Sequence, residues 1–451
     1  MINSALLSLV QTPPLMVPLR FFLTAPLFGL LFALLLLFAS GNPIDLRWDP
    51  VTLAMVHALV LGYLSMIMLG AVQQLLPVLL GAQVVQAERV ATYLHFIYTL
   101  GVVALLIGFA QQSRAALQLA LLLLSVAVIL FALFTWWSIL RSPSRNATAM
   151  AFLFSTLSLM ITLIMAWITL LRYQFIVPSA SVLTDIHLGW GLLGWGMLLI
   201  IGVAYQVVPM FQVTAEYPRW FRRWLLPLLL LELLLFTVSK MTSLPILQYS
   251  LFSLLLQLLP AALTALFAGI TLTLQQRRKR RLADVSLRFW RVAMISLLIA
   301  SVGWIVVELS LQGGLSEAQG AWWQVRLFLL LLFGVFFSVV SGMLFKIVPF
   351  LIWLHLNNSC QQHGAYQGDT PVMGRYIPAY AMQWQYRLQL LALMVLLLAA
   401  LLLPQLLPLA ALLWGGVFVL QEGLMLQALK HYRDFINVLR TTDHGQKTVQ
   451  G

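Results

Sequence analysis

Three apolar stretches of this chain repeat one spaced pattern, Gly-x7-Gly-x3-Gln/Lys-x2-Pro. The copies are Gly62, Gly70, Gln74 and Pro77; then Gly194, Gly202, Gln206 and Pro209; then Gly334, Gly342, Lys346 and Pro349. Two apolar residues precede each proline, and the prolines stand 132 and 140 residues apart. Such spacing implies one folding unit used three times, which limits the architectures open to the chain. The second glycine, the amide or ammonium and the proline follow at i, i+4 and i+7, so they share a helix face. Glycine permits close helix approach in a membrane. The Gln or Lys is placed to bond a backbone carbonyl freed by the proline. Helix packing is the plain reading of the repeat.

With 62% hydrophobic and 9% charged residues, the composition is that of an integral membrane protein. Apolar runs long enough to cross hydrocarbon as helices fall at roughly 18–40, 51–79, 90–110, 115–140, 147–171, 186–212, 224–240, 248–274, 290–312, 325–352, 385–403 and 405–429. The pattern predicts an all-α integral membrane protein, a single polytopic membrane domain over 1–451. Its twelve transmembrane helices form three pseudo-threefold related four-helix units, roughly 18–140, 147–274 and 290–429. The first span is long and no small-residue cleavage site follows it, which predicts that it is retained.

The net charge of +13 is distributed by topology. Placing the N-terminus inside puts 21 of the 26 Lys and Arg at inner positions. Only Arg47, Arg114, Arg172, Lys240 and Arg326 lie outside. That bias predicts both termini in the cytoplasm and leaves the lipid bilayer as the partner of the basic loops. No folded basic domain exists to bind nucleic acid. The single cysteine, Cys360, excludes intrachain disulfides, thiolate zinc sites and four-cysteine iron–sulfur clusters. A connector at about 353–384, with His355, Cys360, His363 and Asp369, is too short for a core of its own. No P-loop is present, so any chemistry sits among the helices.

Ionisable groups inside membrane segments are costly, which makes each a functional candidate. His57 and His187 open segments 2 and 6, standing 13 and 15 residues before the second glycine of their copies. A neutral imidazole in such a place ligates haem iron or copper, or simply bonds a neighbouring helix. Asp185, Gly189, Trp190 and Gly191 surround His187 with surface on which a planar macrocycle could pack. Glu232, Glu308, Glu422 and His95 are candidate proton-relay groups, or neutral hydrogen-bonded contacts. His431 and His444 are expected to be solvated.

Twelve segments in three groups, with histidines opening segments 2 and 6, resemble subunit I of the haem–copper oxidase superfamily. The string from His187-Leu-Gly-Trp-Gly through Tyr205-Gln-Val-Val-Pro-Met-Phe is similar to segment 6 of the cbb3-type and nitric-oxide-reductase-like branches. The string His57-Ala-Leu-Val-Leu-Gly-Tyr, continuing to Gln73-Gln-Leu-Leu-Pro, is similar to segment 2. A weaker resemblance links the chain to NnrS-type nitric-oxide-response proteins. The resemblance implies a bacterial cytoplasmic (inner) membrane protein of the respiratory chain. It further implies haem b at His57, a metal such as copper at His187, and a partner that is another membrane or cytochrome subunit. Active members carry further histidines in segments 7 and 10. Here 224–240 and 326–352 have none, so a complete oxidase or nitric oxide reductase centre is not expected. Two other classes stay open: a proton-coupled transporter using Glu232, Glu308 and Glu422, and a cofactor-free scaffold subunit of a respiratory complex.

Overall fold

The computed structural model describes residues 13–39, 48–81, 86–174, 180–242, 250–279, 284–362, 372, 374 and 376–449. Among them are twelve helices long and apolar enough to span a bilayer. These are α1 (Met16–Phe38), α2 (Pro50–Leu80), α3 (Ala87–Ala110), α4 (Arg114–Leu140), α5 (Ala147–Leu171) and α6 (Val182–Gln212). The second half holds α7 (Arg219–Met241), α8 (Leu251–Gln276), α9 (Val285–Gln312), α10 (Glu317–Gln361), α11 (Ala379–Leu401) and α12 (Pro404–Leu439). Hydrocarbon offers the backbone no hydrogen-bond partner, so an apolar chain satisfies its own amides within helices. Side-chain caps close several exposed starts: Asp49 accepts from Thr52 N–H ahead of α2, and Ser316 forms a capping box with Gln319 ahead of α10.

Two boundaries differ most from the sequence reading. The helix of the third copy does not stop near residue 352, and continues to Gln362. Leu354 and Leu356 are buried there, and their packing carries the helix on past Pro349. His355 and Cys360 therefore lie on a helix instead of in a connector, while His363 and Asp369 fall outside the described residues. The last helix runs to Val449, about twenty residues beyond the expected end. His431 is exposed on that helix, and the side chain of His444 is outside the described set.

Burial separates the helices into two classes. The most apolar windows of α2, α6 and α10 are each 72% buried, against 28–50% for the other nine. These three are the helices that carry the repeated pattern. Each packs along the helix before it: α2 on α1, α6 on α5, and α10 on α9. The remaining neighbours are α3 with α4, α7 with α8 and α11 with α12, and α4–α5, α8–α9 and α12–α1 also pack together. In the middle, Tyr63 of α2 stacks on Phe337 of α10 with ring centres 4.5 Å apart. Trp195 of α6 donates from Nε1 to Ser65 Oγ of α2 at 3.0 Å.

The glycines explain the close packing. A Cβ added at Gly62, Gly194 or Gly334 would strike Phe28, Ser158 or Ser296 on the preceding helix. The second glycines, Gly70, Gly202 and Gly342, meet Phe21, Ala151 and Phe289 in the same way. Within each pair the two struck residues are seven apart in sequence, so the three helix pairs share one register. Gly202 is the tightest, with its hypothetical Cβ 1.9 Å from the Ala151 side chain.

Each repeated helix also contains a π-helical stretch, at Ala58–Ser65, Trp190–Met197 and Leu330–Phe336. All three begin twelve residues before the second glycine of their copy. A wide turn misaligns backbone carbonyls and often marks a functional position. In α2 the Leu61 carbonyl accepts a further bond from the Tyr98 hydroxyl of α3 at 3.2 Å. At the opposite ends, the residues one and two beyond each proline line one apolar cavity of about 20 Å³. They are Val78 and Leu79, Met210 and Phe211, and Phe350 and Leu351.

Gly202→Ala is expected to destabilise the protein by about 1–3 kcal/mol through overpacking. Gly269→Ala on α8, where a Cβ meets nothing within 4 Å, is expected to be neutral or mildly stabilising. Thermal unfolding of the two variants in detergent separates close packing from helix propensity.

Candidate functional site

The structure brings His57 and His187 together. Their ring centres lie 6.5 Å apart with planes inclined by 30°, although the residues are 130 positions apart in sequence. His57 stands on α2 just before its wide turn, and its Nδ1 lies 2.8 Å from the Leu53 carbonyl one turn back. His187 stands on α6 just before the corresponding turn, with Nδ1 3.0 Å from the Thr162 carbonyl of α5. A carbonyl only accepts, so Nδ1 is the protonated nitrogen in both rings and Nε2 carries the lone pair. Such a bond fixes both tautomer and ring direction, as the outer hydrogen bonds of metal-ligating histidines do.

The surroundings hold the pair firmly. Phe109 of α3 packs 5.0 Å from the His57 ring. One turn from His187, Trp190 is buried and donates from Nε1 to Thr237 Oγ1 of α7 at 2.8 Å. Gly191 faces Thr162, and Gly189 faces Leu233 of α7. Both imidazoles keep some accessible surface although they belong to two of the three most buried spans. Neither of the two best-formed cavities touches them.

Two imidazoles on opposite sides of one metal ion, each bonded at about 2.0 Å with about 1.1 Å from nitrogen to ring centre, stand about 6.2 Å apart. The observed distance between ring centres, 6.5 Å, is close to that separation. Among the described residues no group of three or more His, Cys, Asp or Glu side chains converges to hold a metal. The site therefore offers two protein nitrogens and no third. A tetrahedral zinc or a three-histidine copper centre asks for more, whereas haem brings four nitrogens of its own and asks for two axial ligands. The donor set fits haem iron.

The other candidate residues do not gather around this pair as one relay. His95 Nε2 lies 2.8 Å from the Thr24 hydroxyl of α1, and Phe21 meets the ring edge-on. Glu308 is buried on α9 and accepts from Gln324 Nε2 at 3.0 Å. Glu232 on α7 and Glu422 on α12 each keep a buried carboxyl oxygen without a partner among the described residues. His355 lies on α10 about 43 Å along the helix from Arg326, far from the level of the histidine pair.

The repeat's polar residues behave individually. The neighbour Gln73, and not Gln74, reaches a backbone carbonyl, that of Leu69, at 3.1 Å. The Gln74 oxygen has no partner among the described residues. Lys346 forms an ion pair with Asp284, the cap of α9, at 2.6 Å. The expected bond to a proline-freed carbonyl is thus replaced in the third copy by a tie to the preceding helix. Sequence reading places Arg326 among the five outer cations. It is 5% exposed, donates from Nε to the Ala400 carbonyl at 3.0 Å and lies over the Trp322 ring at 4.0 Å. The signal for it was position: an arginine one residue before Leu327, at the level where the other two copies carry histidine.

No protein-family model matches the chain, and comparison with curated proteins finds none similar in sequence.

Lys346→Met removes the cation from a pair whose side chains are 20% and 29% exposed. The expected cost is about 1 kcal/mol, with high salt weakening the parent toward the variant. Thermal unfolding at two ionic strengths reads both effects.

Proposed function

We propose that this chain is a haem b-binding membrane protein with the subunit I fold of the haem–copper oxidases, built as three related four-helix units with both termini cytoplasmic. Its place is in respiratory or nitric-oxide-related redox physiology, beside another membrane or cytochrome subunit, in the bacterial inner membrane. It acts as an electron-carrying or sensing protein and does not form a complete oxidase centre.

The observation that carries this reading is the histidine pair at metal-bridging separation, with each Nδ1 tied to a backbone carbonyl. Bound between those rings, haem b would supply one-electron redox chemistry and a visible absorption signature. His57 and His187 would hold the group, each with its Nδ1 tied to a backbone carbonyl, and the group would supply one-electron transfer. Leu53 and Thr162 orient the rings through their carbonyls. Trp190, anchored to Thr237, and Phe109 pack the flanks and limit water. Three shared features support the threefold grouping: the register of glycine contacts, the placement of the π turns, and the cavity lined by matched positions after the prolines. Against an oxidase, α7 carries no histidine and α10 carries only His355, toward its far end.

The purified protein from haem-supplied cells is expected to show a low-spin haem b spectrum, sharpened on reduction. His57→Ala or His187→Ala should each convert it to a high-spin, carbon-monoxide-reactive form or abolish it. Reduced-minus-oxidised spectra with metal analysis make the measurement. A colourless parent protein, or a spectrum indifferent to both substitutions, defeats the reading.

A further inference from the structure

The first and third copies of the repeat share a second feature, on the outside of the bundle. Phe21 of α1 and Phe289 of α9 are the residues that the second glycines of those copies would strike. Each also meets one ring edge-on. Phe21 meets His95 of α3 with centres 5.0 Å apart, and Phe289 meets Tyr386 of α11 at 5.2 Å. These contacts lay one register over the other, so neighbouring positions can be matched. Arg20 precedes Phe21, and Arg288 precedes Phe289. Two residues before the contacted rings stand Tyr93 and Trp384, 65% and 60% exposed. One arginine and one outward aromatic ring thus recur at matching places. In the middle copy the struck residue is Ala151, and Met150 stands before it.

Arg20 is held in place but not neutralised. Its Nε donates to the Met16 carbonyl at 2.8 Å, and its Nη1 donates to the Thr92 hydroxyl of α3. Thr92 Oγ1 in turn donates to the Glu88 carbonyl at 2.7 Å. The other guanidinium donors have no partner among the described residues. The exposed Glu88 carboxylate acts on Arg20 through space without closing an ion pair among those residues. Arg288 is exposed, and the acid one turn before it, Asp284, is committed to Lys346. Arg387 adds a cation over the Trp384 ring at 5.3 Å, and exposed Arg89 stands one turn before Tyr93. Arg20 lies four residues into α1, about 6 Å along it, and Arg288 three into α9, about 5 Å. Arginines and aromatic rings so near a span end sit where hydrocarbon meets headgroups.

We propose that Arg20 with Tyr93, and Arg288 with Trp384, form two matched sites that each hold the phosphate of one anionic phospholipid. The planar guanidinium offers paired donors that suit phosphate oxygens. The aromatic ring packs beside the glycerol, and at the first site the acyl chains lie along exposed Leu27 and Phe96. An anionic lipid is favoured over a zwitterionic one, whose ammonium would face the same arginines. The middle copy, with Met150 in place of the cation, has no such site. Phe21 lies against Gly70 of α2, thirteen residues from His57 and about 20 Å along the helix. The inference therefore does not rest on haem binding.

The test is native mass spectrometry of the full-length protein released from detergent. It is titrated with phosphatidylglycerol or with phosphatidylethanolamine of the same acyl chains. The parent is expected to retain two phosphatidylglycerol molecules at concentrations where phosphatidylethanolamine leaves it bare. Arg20→Met and Arg288→Met, each copying the middle copy of the repeat, should each lose one, and the double variant both. Arg433→Gln, at an exposed arginine on the extension of α12, should keep both. A parent that binds the two lipids alike overturns the proposal, and so does a double variant that keeps the parent's count. Equal loss in Arg433→Gln overturns it too, because net charge alone would then account for the binding. If a methionine variant fails to fold, Arg20→Gln and Arg288→Gln take its place with the same loss expected. Haem-free protein serves equally, so failure here leaves the haem reading standing, and a colourless protein leaves this one standing.

Discussion

The close seating of α2, α6 and α10 against α1, α5 and α9 is the constraint on which the rest of the molecule depends. Between helices immersed in lipid the hydrophobic effect gives little net attraction, so shape and hydrogen bonding have to hold them together. Paired glycines provide the shape. Removing two side chains per helix lets Phe28, Ser158 and Ser296, and seven residues earlier Phe21, Ala151 and Phe289, sit directly against backbone. The three helices so fixed become the interior, and the other nine present large apolar side chains such as Leu122, Leu133 and Val306 outward.

That interior sets the geometry of the histidine pair. His57 gains its orientation within its own helix, from Leu53, whereas His187 gains it across a helix contact, from Thr162 of α5. The second arrangement depends on α6 lying close to α5, which Gly194 and Gly202 allow through Ser158 and Ala151. Packing glycines and the orientation of His187 are therefore coupled through one interface. The same logic applies at the third copy of the repeated pattern, where Lys346 and Asp284 join α10 to α9 by charge.

Much of this was legible in the sequence, because hydropathy and helix length answer to one physical rule in a bilayer. Twelve spans and the three-copy pattern could be read directly. The end of α10 could not, since the apolar run gives out near residue 352 and the burial of Leu354 and Leu356 shows only in the packed structure. His57 and His187 stood out as ionisable groups in costly places, yet their meeting is tertiary: 13 and 15 residues before a glycine do not by themselves bring two rings within 6.5 Å. The burial of Arg326 was not legible, because counting charges by topology assigns a side of the membrane and no partner. A carbonyl at Ala400 and the Trp322 ring supply its contacts instead.

The π turns have a consequence for how the chain tolerates change. Each accommodates about one surplus residue relative to an ordinary helix of the same rise, and so rotates everything on the histidine side with respect to everything on the proline side. Deleting a single residue inside Ala58–Ser65 or Trp190–Met197 would restore regular winding while swinging the imidazole away from its counterpart, with the lower half of the rod undisturbed. The three helices thus behave as jointed shafts, in which ligand aim and structural seating can drift apart or be retuned separately.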